Sequence, residues 1–186
     1  MRIGLISDTH MPGSLRELWP QALDAFRDVD CVLHAGDLHT LGVVDQLSKL
    51  APTYVARGNG DAGLQDERLK DCWLLDLKGV QVGMIHRFPS PERRPAHVIQ
   101  DHINRNFKTI PRVMVYGHTH MEAIHTVKGT LCINPGSPTL PQNKQLRYGT
   151  IGFVEIGDDS ITASIHQLTE QGLEDHETIR PQISKI

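Results

Sequence analysis

The chain has 186 residues, of which 39% are hydrophobic and 22% are charged, and its formal net charge is -3. These values predict a single globular domain, and the acidic balance argues against stable binding to duplex nucleic acid, whose phosphates require a basic surface. No apolar run reaches the roughly 18 residues that a membrane span needs. Three scattered cysteines and an N-terminus without a signal-peptide pattern predict a reduced, cytoplasmic protein.

The first third of the chain alternates short apolar runs with segments of helical spacing. Two helices are predicted, one over residues 15–26 with Ser14 as its N-cap and one over about residues 40–50 with Thr40 as its N-cap. The order strand, helix, strand, helix, strand predicts a parallel sheet with right-handed crossovers. The strands are predicted at residues 2–7, 31–35 and 53–56.

The remainder of the chain is predicted to be rich in antiparallel strands, because pairs of apolar runs are separated by short turn signals. One amphipathic helix, over residues 96–107, interrupts them. From residue 169 the composition turns polar, so we expect residues 169–186 to form a peripheral or mobile tail on a domain of residues 1–168. The strands are predicted at residues 72–77, 80–85, 112–116, 122–127, 130–133, 149–156 and 160–166.

Five polar clusters directly follow predicted strands. At the carboxyl ends of parallel strands such clusters meet where open α/β sheets bind ligands. Each cluster alone is more typical of a turn, a helix cap or a polar strand end than of a metal site. Together they predict a metal site, because buried carboxylates and imidazoles are costly without a compensating ion. The clusters are Asp8-Thr9-His10, Gly36-Asp37, Gly58-Asn59-Gly60-Asp61, Ile85-His86 and Gly117-His118-Thr119-His120.

The donors in these clusters are nitrogen and oxygen atoms, without a thiolate. That mixture favours manganese, iron, nickel, cobalt or zinc in a catalytic site over a structural zinc site built from cysteines.

The ordered clusters, followed by Asn134-Pro135-Gly136-Ser137, resemble the calcineurin-like metallophosphoesterases and most closely their small single-domain bacterial and archaeal branch. The resemblance covers about residues 1–168. It implies an α/β fold, a four-layer α-β-β-α sandwich of two mixed β-sheets flanked by helices. It also implies two divalent transition-metal ions, with manganese the first choice, at the strand ends. The implied reaction is hydrolysis of a small phosphodiester by a metal-bridging hydroxide that attacks phosphorus.

The resemblance assigns each donor a role. By it, four of the donors, Asp37, Asn59, His86 and His118, also act directly in catalysis. His34 is expected to orient a ligand, and Asp61 to support the turn around Asn59. The implied ligands of the first ion are Asp8, His10, Asp37 and His120, and those of the second are Asp37, Asn59, His86 and His118.

Two positions depart from the family pattern. Larger members often carry a histidine after the asparagine ligand, where this chain has Gly60. Without an imidazole at that position to act as a general acid, phosphodiesters with good leaving groups are favoured over monoesters. Arg87 stands where the small branch commonly has glycine. It is a candidate for binding phosphate, and an exposed structural arginine is an equal alternative. His39 is likewise either a substrate-binding residue or a polar residue near a helix start.

Two other functions remain open on the sequence alone. One is a catalytically weak scaffold or interaction protein on the same fold, because one retromer subunit resembles this fold yet serves mainly as an interaction platform. That subunit lacks the first-site histidine, whereas His10 is present here, which favours an enzyme. The other is a nuclease, which the acidic net charge disfavours for all but short oligonucleotides. A homo-oligomer is also left open.

Overall fold

Thirteen strands and three α-helices make up the computed structural model, which describes residues 1–186. The helices are α1 Pro20–Ala25, α2 Leu41–Ser48 and α3 Ala96–Asn106, and a single 3-10 turn covers Asn59–Asp61. The strands are β1 Arg2–Ile6, β2 Cys31–His34, β3 Thr53–Ala56, β4 Leu69–Lys70, β5 Cys72–Leu77, β6 Val80–Ile85, β7 Val113–Val115, β8 Ala123–Val127, β9 Thr130–Asn134, β10 Thr150–Ile156, β11 Ser160–Leu168, β12 Leu173–Asp175 and β13 Gln182–Lys185.

The strands form two mixed sheets. The larger sheet has eight strands in the order β12-β11-β10-β1-β2-β3-β4, with β13 paired to β11. Its strands β1, β2 and β3 are parallel, as the sequence predicts, while β10 runs antiparallel to β1. The smaller sheet has the order β5-β6-β7-β9-β8, and its β6, β7 and β9 are parallel. The carboxyl ends of two parallel groups are therefore available for a site.

Three apolar layers hold the sheets and helices together. The largest lies between the two sheets and includes Leu5 and Leu33 from one sheet and Met84 and Val115 from the other. A second packs α1 and α2 against the outer face of the larger sheet. A third packs Ile99 and the rest of the apolar face of α3 against the smaller sheet. The order helix, sheet, sheet, helix confirms the predicted four-layer sandwich.

The first helix is shorter than predicted. It begins at Pro20, not after Ser14, because proline has no backbone N–H and would clash with the carbonyl four residues earlier if it lay inside a helix. The Ser14 hydroxyl does not cap the helix. It donates a hydrogen bond to the backbone carbonyl of Thr9 and so holds the segment that follows β1.

Residues 169–186 lie at the edge of the larger sheet. They contain β12 and β13, which pair with the two ends of β11, so this polar segment is hydrogen-bonded to the sheet. The segment is peripheral, and the boundary at residue 168 stays a prediction. No helix of the structure combines the length and the apolar character that crossing a membrane requires.

Candidate metal centre

The five polar clusters meet at one edge of the sandwich. Asp8 and His10 follow β1, Asp37 follows β2 and the 3-10 turn with Asn59 follows β3, while His86 follows β6 and His118 and His120 follow β7. Backbone hydrogen bonds join the loops directly: the Asp8 N–H donates to the Gly36 carbonyl over 2.8 Å, and the Gly117 N–H donates to the His86 carbonyl over 3.0 Å. The structure thus brings together all seven residues that the resemblance implies as ligands.

Asp37 lies at the middle of this group. Its Oδ2 is 3.4 Å from Nε2 of His10 and 3.5 Å from Nε2 of His86. Its other oxygen, Oδ1, accepts a hydrogen bond of 2.7 Å from the Gly60 N–H. One carboxylate oxygen therefore faces imidazoles from two loops, and the second oxygen fixes the orientation of the carboxylate.

Asp8 organises the first side of the site. Its carboxylate is buried and lies with Oδ1 3.7 Å from Nε2 of His120. The Ser7 hydroxyl donates to Asp8 Oδ2 over 2.6 Å, and the His118 backbone N–H approaches both carboxylate oxygens at 3.0 and 3.1 Å. Asp8, His10 and His120 form one group of donor atoms within 4.8 Å of one another, and Asp37, His86 and His118 form another.

Two imidazoles are oriented by the backbone. Nδ1 of His86 is 2.7 Å from the Ala35 carbonyl, and Nδ1 of His120 is 2.6 Å from the Leu140 carbonyl. A carbonyl only accepts hydrogen bonds, so in both rings Nδ1 carries the proton when the imidazole is neutral. Nε2, the atom that faces the carboxylates, then keeps its lone pair for a metal.

The backbone at the site is strained. Eight non-glycine residues in the chain have positive φ, and six of them lie in the site loops. Positive φ is unfavourable for residues with a side chain and persists where the surrounding contacts enforce it. The loops are therefore held in one conformation by the fold. The six residues are Asp8, His10, Asp37, His39, His118 and His120.

The donor set fits divalent metal ions. Nε2 of His10 is buried and makes no hydrogen bond, which is unfavourable for a polar atom unless an ion binds it. Burial lowers the pKa of His10 to about 4 although Asp37 opposes that shift, so the ring is neutral at pH 7. Burial would raise the pKa of Asp37, yet the neighbouring His86 imidazole and the hydrogen bond from the Gly60 N–H hold it well below its usual range. A neutral imidazole and an ionised carboxylate are the forms that bind metals.

Comparison with known proteins identifies the family. A family model described as the calcineurin-like phosphoesterase superfamily domain matches residues 1–159. The chain belongs to this superfamily. A probable metallophosphoesterase from Methanothermobacter thermautotrophicus is 34% identical over 146 residues, covering 76% of this chain and 80% of that protein. A phosphodiesterase from Methanocaldococcus jannaschii is 32% identical over 148 residues, covering 73% and 83%.

A solved structure has the same fold. Vps29 from Entamoeba histolytica, crystallised with zinc, superposes with a TM-score of 0.71 over 100% of this chain and 99% of that chain at 20% identity. At this identity the likeness establishes the fold alone. The family match and the sequence relatives place the chain among hydrolases of the metallophosphoesterase type, a family that binds divalent metals.

Two buried side chains support the loops of this metallophosphoesterase. The Asp61 carboxylate accepts hydrogen bonds from the backbone N–H groups of Asp37, His39 and Gly58, at 2.8–2.9 Å. It therefore fixes the loops after β2 and β3 relative to each other. His34 accepts from the Gly36 N–H at Nδ1 over 3.1 Å and lies 3.2 Å from the Thr9 hydroxyl at Nε2. It joins the loops after β1 and β2 through Thr9 and Gly36, neither of which is an implied ligand.

The two candidate substrate-binding residues contact different implied ligands. Arg87 is exposed, and its Nε and one terminal nitrogen lie 3.4 and 3.3 Å from Asn59 Oδ1. Oδ1 of Asn59 is also 3.3 Å from Nε2 of His86. His39 is exposed as well, and its ring packs against His10 with centroids 4.4 Å apart. Both residues thus border the donor set.

Some supporting residues were not predicted from the sequence. Ser7 binds the Asp8 carboxylate, and its position directly before the first cluster was the available signal. The Leu140 carbonyl that orients His120 has no sequence signature, because any residue supplies a carbonyl. The Asn134–Ser137 turn, which belongs to the family pattern, contacts the loops that carry His118, His120 and Asp8. Asn134 Nδ2 donates to the Gly117 carbonyl and the Thr119 hydroxyl, at 3.2 and 3.0 Å, and the Ser137 hydroxyl donates to the Asp8 carbonyl over 2.7 Å.

Proposed function

We propose that this protein is a dinuclear metal-dependent phosphodiesterase that hydrolyses small phosphate diesters. The proposal rests on the position of Asp37 Oδ2, which lies 3.4 Å from His10 Nε2 and 3.5 Å from His86 Nε2. A single carboxylate that faces donors from two groups suits two ions held side by side. We propose manganese as the first candidate for both ions, with nickel, iron, cobalt and zinc as alternatives.

The chain supplies one set of ligands for each ion. Asp8, His10, Asp37 and His120 would hold the first, and Asp37, Asn59, His86 and His118 would hold the second. Such a pair, when bound, supplies a water of lowered pKa and neutralises the charge that develops on the phosphate oxygens. The protein's own contribution is to fix the donors in advance: Asp61, His34 and the strained loops hold them before any substrate arrives.

Burial also makes metal binding depend on pH. It raises the pKa of Asp8 to about 6, although the Ser7 hydrogen bond and the imidazoles of His86 and His120 oppose the shift. Asp8 must be ionised to ligate a metal, so a proton is released on binding when the pH is below about 6. Metal affinity should therefore weaken as the pH falls through that value.

The preference for diesters is supported by two observations. Residue 60 is a glycine, so the position after the asparagine ligand offers no imidazole to protonate a poor leaving group. A relative that is 32% identical is named a phosphodiesterase. A diester with a good leaving group needs less proton transfer than an alkyl monoester, and the site suits it better.

The proposal predicts a metal-dependent diesterase. Protein freed of metal by a chelator should not hydrolyse a bis-aryl phosphate, and manganese, nickel or zinc should restore turnover. Elemental analysis of the reconstituted protein should approach two ions per chain. With aryl substrates, kcat/KM for the diester should exceed that for the monoester.

The outcomes separate the parts of the proposal. Turnover that persists after complete metal removal would exclude a metal-dependent mechanism. One ion per chain at full activity would exclude the dinuclear centre, and a preference for the monoester would overturn the inference drawn from Gly60. Asp101→Asn changes an exposed carboxylate on α3 that is not one of the donors, so it should bind metal and turn over substrate as the wild type does. It is the matched control for a change in a donor carboxylate such as Asp37→Asn.

Arg87 is proposed to bind the phosphate of the substrate. Its guanidinium already lies against Asn59 Oδ1, beside the second group of donors, and is exposed. Arg87→Ala is expected to raise KM for a bis-aryl phosphate about tenfold, because one charge-assisted hydrogen bond is lost, while metal content stays the same. Steady-state kinetics with elemental analysis measure this. A fall in metal content with an unchanged KM would show that Arg87 supports Asn59 and does not bind substrate.

The scaffold alternative receives support from the structural likeness to Vps29. At 20% identity that likeness concerns the fold and does not assign partners. A protein without turnover would nevertheless favour this alternative.

The three cysteines are free, and two of them are buried, which agrees with the proposed cytoplasmic location.

A further inference from the structure

His39 belongs to a third group of donors that the family pattern does not include. Its ligand atom lies within 4.8 Å of those of His10 and Asp37. Its ring meets the ring of His10 edge to face, with centroids 4.4 Å apart. His10 and Asp37 also belong to the ligand sets described above, so the new member is the imidazole of His39.

Gly60 provides the space that His39 occupies. A Cβ atom on residue 60 would lie 2.0 Å from Nε2 of His39 and 2.3 Å from its Cδ2, far inside contact distance. The Gly60 N–H in turn donates to Asp37 Oδ1 over 2.7 Å. The imidazole of His39 therefore stands where a side chain on residue 60 would stand, beside the Asp37 carboxylate.

The fold holds His39 in this place. Its φ of 66° is unfavourable for a residue with a side chain, and its backbone N–H donates to Asp61 Oδ1 over 2.9 Å. Asp61 also binds the N–H groups of Asp37 and Gly58. The same buried carboxylate thus positions Asp37, the glycine-rich turn and His39 as one unit.

We propose that His39 is an additional imidazole ligand of the ion bound by His10 and Asp37. The inference rests on the proposed function, since it requires that ion. Imidazole is a common ligand of manganese, cobalt and zinc, and a further one would fill a coordination position otherwise left to water. With His39 bound to metal, its imidazole is not free to protonate a leaving group, which agrees with a diester substrate.

Metal binding, measured apart from activity, tests this proposal. In protein loaded with cobalt(II), His39→Ala should change the visible absorption spectrum and weaken one of the two binding events in a calorimetric titration by at least about tenfold, the loss that even an outer partner of a ligand causes. Gly60→Ala should give the same spectral change, because the new methyl group displaces the imidazole. The double variant should add nothing to His39→Ala, since no imidazole then remains to be displaced.

A control variant outside the site gives the experiment a decisive outcome. His97→Ala removes an exposed imidazole from α3 and should leave the spectrum and both affinities unchanged. The inference is overturned if His39→Ala binds cobalt with the wild-type spectrum and affinities, or if only Gly60→Ala alters them. Metal binding that survives in Asp37→Asn would instead refute the proposed function, so the two failures are distinguishable.

Discussion

Asp37→Asn is expected to reduce diester hydrolysis by about three orders of magnitude or more. The two metal ions together stabilise the transition state by several kcal/mol, and each 1.4 kcal/mol corresponds to about a tenfold change in rate. Asparagine keeps the size of the side chain and an oxygen that can accept from the Gly60 N–H, as Oδ1 does now. It replaces Oδ2, the oxygen near His10 and His86, by an amide nitrogen without a lone pair for a metal.

The measurement is kcat/KM for a bis-aryl phosphate at saturating manganese, together with the metal content of the variant. Asp101→Asn is again the control, because it makes the same chemical change on an exposed position of α3. A thermal melt in chelator separates loss of the fold from loss of the site. Activity within tenfold of the wild type would rule out Asp37 as the bridging ligand.

His34→Gln is expected to change the dependence of stability on pH. Burial lowers the pKa of His34 to about 4 from an ordinary value of 6.5, although Asp61 opposes the shift. Between these values the unfolded chain binds a proton and the folded protein does not, so the free energy of unfolding falls as the pH falls from 6.5 to 4. The effect is on the order of 3 kcal/mol when the pH has fallen to the lower of these two values.

Glutamine does not titrate and offers both a donor and an acceptor for the Gly36 N–H and the Thr9 hydroxyl. Denaturant unfolding in chelator at pH 7, 5.5 and 4 should therefore show the wild type losing stability relative to His34→Gln as the pH falls. His97→Gln, on the exposed face of α3, should follow the wild-type profile. Parallel profiles for the wild type and His34→Gln would mean that His34 is not held neutral by burial.

The comparison of variants with the wild type is needed because neighbouring groups act in opposite directions. Burial lowers the pKa of His10 to about 4, and this too reduces stability as the pH falls below 6.5. Burial raises the pKa of Asp8 to about 6, so ionisation of Asp8 reduces stability as the pH rises through that value. The difference between two profiles cancels both contributions and leaves that of His34.

The regular elements could be predicted from local patterns. The apolar runs of β1, β2 and β3 and the turn at Lys78-Gly79 mark buried strands and a hairpin without further information. The start of α1 could not be placed by apolar spacing, because spacing ignores the geometry that Pro20 imposes. The short strand β4 was missed since two residues carry no periodicity.

The edge strands β12 and β13 show what local patterns leave out. Their residues are polar and read as a tail, yet both pair with the long strand β11. The partner lies elsewhere in the chain, and backbone hydrogen bonds to it do not depend on apolar side chains. Only the folded sheet identifies this edge.

The sequence by itself determined which carboxylate, amide and imidazole side chains meet and in what order, because they follow strands that periodicity reveals, and parallel strands bring their ends to one edge. The tertiary structure decided how those donors are held: the buried Asp61 that fixes three backbone N–H groups, the carbonyls that set the tautomers of His86 and His120, and the place of His39 over Gly60. These depend on contacts between distant loops and on backbone atoms, which are common to all residues and leave no mark in the order of side chains.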